Sequence, residues 1–179
     1  SYDLLPKQPH FAPRARSMIS LFMHGGPAHM ELTDPKPELT RMDGKTFQGD
    51  IAYSFIKRAS KRLMGARWKF QPRGECGTEI SELLPHTATV AKDLCVVHTA
   101  FTEAINHDPA ITYIQSGSQI PGRPSLGAWL SYGLGSMNEN LPNYVVMHAR
   151  TKHAEQSLFG RLWGSGFMSS QHQGVLLRS

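Results

Sequence analysis

Three short apolar runs stand out along the chain, and each gives way to a polar loop. They cover residues 18–23, 94–97 and 144–147. Apolar runs of this length, bounded by turn residues, are typical of buried β-strands. The first run stops abruptly at a His-Gly-Gly-Pro loop, residues 24–27, as expected where a buried strand ends in a tight turn. The pattern therefore predicts three strands.

Helix start and stop signals lie between these runs. Asp108 is placed to cap a helix, Pro109 fits its first position and Gly117 fits its C-terminal end. Pro85 fits the first turn of an earlier helix, and Gly133 closes a later one. The predicted helices cover residues 85–92, 109–116 and 124–132, and a further one covers 51–64, closed by Gly65.

The order of these elements predicts the fold class. Strands that alternate with helices are typical of an α/β protein whose mostly parallel sheet is flanked by helices. We expect residues 1–16, which have no periodicity, to form an extended lead-in, and residues 17–179 to form one α/β domain. A basic insertion at about 41–75 interrupts that domain.

Composition narrows the class of protein. With 179 residues, 40% hydrophobic and 18% charged, the chain can bury a sizeable core. It has no apolar run of the ~18 residues that a membrane span needs, and its first ten residues lack a signal-peptide pattern. Two cysteines are too few for a disulfide scaffold, and Cys95, inside an apolar run, is expected to be a buried thiol.

The net charge of +5 is concentrated rather than spread. Between Arg41 and Arg73 there are nine basic residues, opposed only by Asp43 and Asp50. This segment could face an anion, or it could be a solvated surface insertion. We expect no nucleic-acid partner, because a charge run of this kind is usually an exposed face.

Two loops after predicted strands carry residues suited to chemistry. One contains His24 and His29 with Asp34 beyond them, and the other contains Asn106, His107 and Asp108. In an open α/β sheet, ligands bind at the carboxyl ends of strands, beside helix N-termini that favour anions. His, Asp and Asn are also ligand types for a divalent metal. The alternatives are a helix cap for Asp108 and hydrogen-bonded loop histidines.

Arg123 lies just before the helix predicted at 124–132. It could clamp an oxyanion through two parallel hydrogen bonds, or it could be a surface loop arginine. The chain has no Gly-x-Ser-x-Gly elbow, no Walker-type loop and no dinucleotide fingerprint. The usual signals of serine hydrolases, P-loop NTPases and Rossmann enzymes are therefore missing.

Several segments together resemble a known family. They are residues 24–27 with 34–37, 81–86, most of 102–135, and 161–167. In these segments the chain resembles the bacterial domain-of-unknown-function fifteen-oh-one family, which is assigned with the sulfatases to the alkaline-phosphatase-like superfamily. The resemblance implies twin-arginine export, a periplasmic or extracytoplasmic location, and a longer protein of which this chain is roughly the first half.

The resemblance also implies an activity. It points to a metal-dependent hydrolase of sulfate or phosphate esters, acting on a small molecule or glycan, and leaves the oligomeric state open. The divalent ion would be zinc or calcium, with ligands from Asp34, His24, His107 and Asp108 and the rest of the site outside this chain. His107, Asn106 and Arg123 are the catalytic candidates.

One departure from the sulfatase pattern keeps a second function open. Sulfatases carry a Cys-x-Pro-x-Arg motif at the start of a helix, and His107 and Ile111 stand at the cysteine and arginine positions here. His107 would then be a metal ligand or an alternative nucleophile. The alternative function is a non-catalytic exported binding protein that retains the sulfatase-like fold.

Overall fold

The computed structural model describes residues 4–23, 25–49, 60–147 and 159–177. The chain divides into two compact units. The middle unit is Gly26–Ala100, and the terminal unit combines Ser1–Gly25 with Phe101–Ser179. Each unit is described by itself below.

The middle unit is built around a β-hairpin. After a 3₁₀-helix, His29–Glu31, and a short helix α1, Pro37–Arg41, strand β1, Phe70–Arg73, pairs antiparallel with β2, Thr78–Ser81. Helix α2, Pro85–Thr89, and a 3₁₀-helix, Ala91–Asp93, follow. Among the described residues of this unit, Ile80 and Ala91 are the buried hydrophobic ones.

The hairpin turn requires glycine. Gly74 has a φ of +64°, a left-handed conformation that residues with a side chain rarely adopt. A Cβ at this position would also lie 3.1 Å from the backbone of Ala91 and Lys92. The turn therefore packs directly on the 3₁₀-helix that follows.

The terminal unit holds the longer helices. They are α3, His107–Ser116, and α4, Leu126–Leu134. Strand β3, Val145–Met147, lies parallel to β4, Val175–Leu177, and a short helix α5, Phe159–Leu162, and a 3₁₀-helix, Ser170–His172, lie between them in sequence. In the part of this unit that the structure describes, the buried hydrophobic residues are Ile111 and Ala128.

The predicted fold class is wrong. The described residues form two separate two-stranded sheets, one antiparallel and one parallel, with few helices, instead of a mostly parallel sheet flanked by helices. Neither 18–23 nor 94–97 is a strand. Ile19 and Leu21 are 82% and 88% exposed and Val97 is 66% exposed, because no neighbouring strand pairs with these runs in the described part of the chain. Cys95 is likewise exposed rather than buried.

The helices of the terminal unit are confirmed, with shifted boundaries. Gly117 ends α3 in the left-handed conformation, as predicted, but the N-cap is Asn106, so Asp108 lies inside the first turn. Helix α4 begins two residues later than predicted and runs past Gly133 to a cap at Gly135. The run at 144–147 is confirmed as strand β3.

Two predicted helices of the middle unit differ from the structure. The helix predicted at 85–92 ends at Thr89 and is followed by the 3₁₀-helix. Of the helix predicted at 51–64, residues 51–59 lie outside the described residues. Residues 60–64 are not helical, since Arg62 forms an antiparallel bridge with Thr46.

Candidate functional site

A carboxylate surrounded by three cationic or ionisable side chains lies in the middle unit. We call Asp34, His29, Lys36 and His98 the Asp34 cluster. The Asp34 N–H donates to the His29 carbonyl at 3.1 Å, so the turn after the first 3₁₀-helix fixes the position of Asp34. Lys36 Nζ lies 2.7 Å from Asp34 Oδ2, a hydrogen-bonded ion pair.

The two imidazoles approach opposite oxygens of the same carboxylate. His29 Nε2 is 3.7 Å from Oδ2, and His98 Nδ1 is 3.7 Å from Oδ1. These distances are too long for hydrogen bonds, so the rings are near the carboxylate without being bonded to it. The Asp34 side chain is 20% exposed, which leaves a narrow route to solvent.

The surroundings keep Asp34 ionised. The hydrogen bond from Lys36 lowers the pKa of this carboxyl, and burial opposes that effect. The charge of Lys36 lowers the pKa further, as do His98 and His29 when they are protonated. Asp34 is therefore a carboxylate at neutral pH, and it can accept a cation or a hydrogen bond.

The donor types of the cluster fit a divalent metal only in part. Zinc binds carboxylate oxygen and imidazole nitrogen at ~2.0–2.2 Å, so two such ligands of one tetrahedral ion lie ~3.4 Å apart. The 3.7 Å separations are close to that value. However, Lys36 occupies Oδ2, and the described residues contain no group of three or more His, Cys, Asp and Glu arranged to hold a metal. The described residues would supply part of a ligand set.

The predicted residues near α3 belong to the terminal unit. Asn106 is the N-cap of α3, although its side chain makes no capping hydrogen bond, and His107 and Asp108 are exposed in the first turn. The backbone carbonyl of Asp108 accepts from Thr112 Oγ1 at 2.8 Å. These side chains are accessible to a ligand.

Arg123 is exposed and precedes the cap of α4. The backbone from Gly122 to Pro124 packs closely against Gly166, where a Cβ would overlap it. The loop that carries Arg123 is therefore held from one side while the guanidinium stays in solvent.

Asp34 and His107 do not share a sheet edge. The predicted parallel sheet would have placed the loops that carry them at its common carboxyl edge. The runs at 18–23 and 94–97, whose carboxyl ends were to bring them together, are not strands. Asp34 belongs to the middle unit, and His107, Asp108, Asn106 and Arg123 belong to the terminal unit. His24 lies outside the described residues.

The sequence interpretation overlooked His98 and Lys36. His98 directly follows the apolar run 94–97, so the rule that ligands collect after such runs could have selected it. Lys36 is two residues from Asp34, and its ion pair could have been expected from that spacing.

A second buried polar group lies in the terminal unit. Ser131 Oγ is 2.8 Å from His172 Nδ1 and accepts a hydrogen bond from Asn143 Nδ2 at 2.8 Å. The Tyr132 ring meets the His172 ring edge-on, with centroids 5.6 Å apart. Ser131 and His172 are 4% and 1% exposed, so this Ser–His pair packs the unit and is closed to a substrate.

Residues 15–179 match the family model described as Protein of unknown function (DUF1501). The chain belongs to this family. The resemblance identified in the sequence is thus confirmed at the level of the DUF1501 family. No curated protein and no solved structure matches the chain.

No helix in the described ranges is long and apolar enough to cross a membrane.

Proposed function

We propose that this DUF1501 chain contributes to an exported, metal-dependent hydrolase of sulfate or phosphate esters, related to the sulfatases and alkaline phosphatases. The Asp34 cluster carries the proposal. An ionised carboxylate flanked by two imidazoles combines the ligand types that zinc and other divalent ions take from proteins. The substrate would be the ester of a small molecule or glycan.

The roles follow from the chemistry of each side chain. Asp34 would bind zinc or calcium with His98 or His29. A bound divalent ion polarises an ester and activates the attacking group. Lys36 would move from Asp34 to the ester anion. In the terminal unit, Arg123 and Asn106 remain candidates for binding an anion, and His107 remains a candidate nucleophile.

One observation favours a second candidate, a non-catalytic exported binding protein. Ile111 stands where the sulfatase motif carries its arginine, and it is a buried core residue of α3. A side chain in that position packs the unit and cannot reach a substrate. His107, at the nucleophile position, is neither cysteine nor serine. The two candidates differ in whether the Asp34 cluster supports turnover.

Metal binding and hydrolysis should both depend on Asp34. We expect Asp34→Asn to lower zinc affinity by about tenfold or more, because it removes the anionic ligand, and to abolish release of nitrophenol from p-nitrophenyl sulfate or phosphate. Asp93→Asn, an exposed aspartate of the same unit, should change neither. Zinc titration and a colorimetric assay on the purified full-length protein measure the two quantities.

The outcomes separate the candidates. Full-length protein that binds no zinc or calcium and hydrolyses neither ester rules out the hydrolase. Zinc affinity that is the same in Asp34→Asn and the wild type removes Asp34 from the site. Loss of hydrolysis in His107→Ala, with zinc affinity retained, would assign His107 to the chemical step.

A further inference from the structure

A cavity of about 520 Å³ lies in the terminal unit, beside the first described residues of the chain. Its size falls within the ~300–1,000 Å³ range of small-ligand pockets. Much of its wall is aliphatic, with Leu5, Met137, Leu141 and Val175 among the lining residues, and these four side chains are exposed. Aliphatic side chains are thus available to an apolar ligand.

One wall of the cavity is itself a peptide segment, residues 4–6. The Ser136 N–H donates to the Leu4 carbonyl at 2.7 Å, and the Lys7 N–H donates to the Leu134 carbonyl at 3.1 Å. The carbonyl of Leu5 presses on Gly135, where any side chain would overlap it. The unit therefore already holds one peptide segment at this place through main-chain hydrogen bonds.

Two amides that line the cavity are oriented by their neighbours. Asn138 Oδ1 accepts from the backbone N–H groups of Asn140 and Leu141 at 2.9 and 3.2 Å, which leaves its Nδ2 as a donor. Asn143 Nδ2 donates to Ser131 Oγ at 2.8 Å, which leaves its Oδ1 as an acceptor. A fixed donor and a fixed acceptor match the C=O and N–H of a peptide group.

The charge of the lining also limits the kind of ligand that the cavity favours. Glu139 is the only charged side chain among the described residues that line the cavity. This carboxylate favours a ligand with a positive group. The same lining has no aromatic ring, so it lacks the stacking surface on which bases bind.

We propose that this cavity binds a short extended peptide segment that has aliphatic side chains and one positive charge. The aliphatic wall takes the side chains, Asn138 and Asn143 pair with one peptide group, and Glu139 faces the cation. This activity is separate from the proposed hydrolysis, whose candidate residues lie elsewhere in the chain.

Fluorescence anisotropy with a labelled Lys-Leu-Val-Leu peptide on the 179-residue chain tests the proposal. We expect saturable binding, and Leu141→Asp should weaken it by about tenfold, because it removes apolar contact and places a charge in the aliphatic wall. Ile120→Asp, at another exposed apolar position of the same unit, should leave the affinity unchanged.

The charge preference has its own test. The Lys peptide should bind about threefold more tightly than Glu-Leu-Val-Leu, in the range of an exposed ion pair, and Glu139→Gln should remove that difference. Asn140→Ala, in the same loop but not in the lining, should keep it.

Three results would overturn the proposal. They are no saturable binding of either peptide at millimolar concentration, equal binding by Leu141→Asp, or binding of a neutral oligosaccharide such as maltotriose where the peptides fail. Circular dichroism verifies that each variant is folded. If Leu141→Asp is unfolded, Gln173→Ala, which removes a lining amide from an exposed position, takes its place with an expected loss of affinity.

Discussion

His172 is a buried imidazole whose protonation conflicts with its surroundings. It is 1% exposed. Burial lowers its pKa from the ordinary value of 6.5, and the nearby charge of Lys7 lowers it further. The neutral ring fits because Ser131 can accept from Asn143 and donate its own proton to His172 Nδ1. The folded protein therefore favours neutral His172.

This shift makes stability depend on pH. Because the pKa is lower in the folded than in the unfolded state, the contribution of His172 is fully present above pH 6.5 and is lost as the pH falls below it towards the folded pKa. Urea unfolding at pH 7.5 and 5.5 should show a smaller loss at acid pH in His172→Gln than in the wild type. His86→Gln, which changes an exposed histidine, should retain the wild-type loss.

A direct measurement can contradict this account. An NMR titration in which the His172 ring protonates at or above pH 6.5 in the folded protein would show that burial does not disfavour its charged form.

Local signals identified some residues of the fold and site, and long-range contacts determined the others. Gly117 could be recognised as a helix end because a left-handed cap depends on neighbours within one turn. Asp34 was a candidate from its residue type and position. His98 comes near Asp34 only through the folding of the middle unit across 64 positions, and no pattern within a short window records that approach.

Helix α4 contains two glycines in different environments. A Cβ at Gly127 would overlap the ring of Tyr144, whereas a Cβ at Gly133 would meet nothing within 4 Å. The helix is capped by Ser125, whose Oγ accepts from the Ala128 N–H, and burial raises the pKa of Tyr144. The ring thus lies partly buried across the first turn of the helix.

Alanine substitutions at these glycines should have opposite effects. Gly127→Ala should lower the free energy of unfolding by about 1–3 kcal/mol, because the clash with Tyr144 exceeds the gain in helix propensity. Gly133→Ala should raise it by about 0.5–1 kcal/mol through propensity alone. Urea denaturation of both variants gives the two values, and equal signs would contradict the placement of the Tyr144 ring.

Helices could be predicted better than strands for a physical reason. A helix satisfies its backbone hydrogen bonds within one segment, so caps and period are sufficient to locate α3 and α4. A strand needs a partner, and an apolar run does not reveal whether one exists. The runs at 144–147 and 18–23 look alike in sequence, yet only the first meets a partner, β4, in the described part of the chain.

Across the whole chain, apolar burial is sparse. The hydrophobic residues that are fully buried among those described are Ile80, Ala91, Ile111 and Ala128, and two of these are small. Many large apolar side chains, including Ile19, are exposed. Since burial of apolar surface is the main favourable term in folding, such a chain gains little from it.

We therefore expect the 179-residue chain by itself to be weakly stable and to bind apolar molecules at its surface. Its free energy of unfolding should lie below about 5 kcal/mol, the lower end for native domains, and it should bind the dye ANS at neutral pH through exposed apolar surface. Urea titration and ANS fluorescence measure these properties. A chain that does not bind ANS and whose free energy of unfolding exceeds about 10 kcal/mol would contradict the expectation.

The parallel pairing of β3 with β4 has a consequence for biosynthesis. Val145 pairs with Val175, 30 positions later in the chain. At a translation rate of ~5–20 residues per second, the ribosome needs roughly 2 to 6 s to make the intervening segment. During that interval the backbone groups of Val145–Met147 that will pair with β4 have no partner strand. Correct pairing therefore depends on how quickly the later strand leaves the exit tunnel.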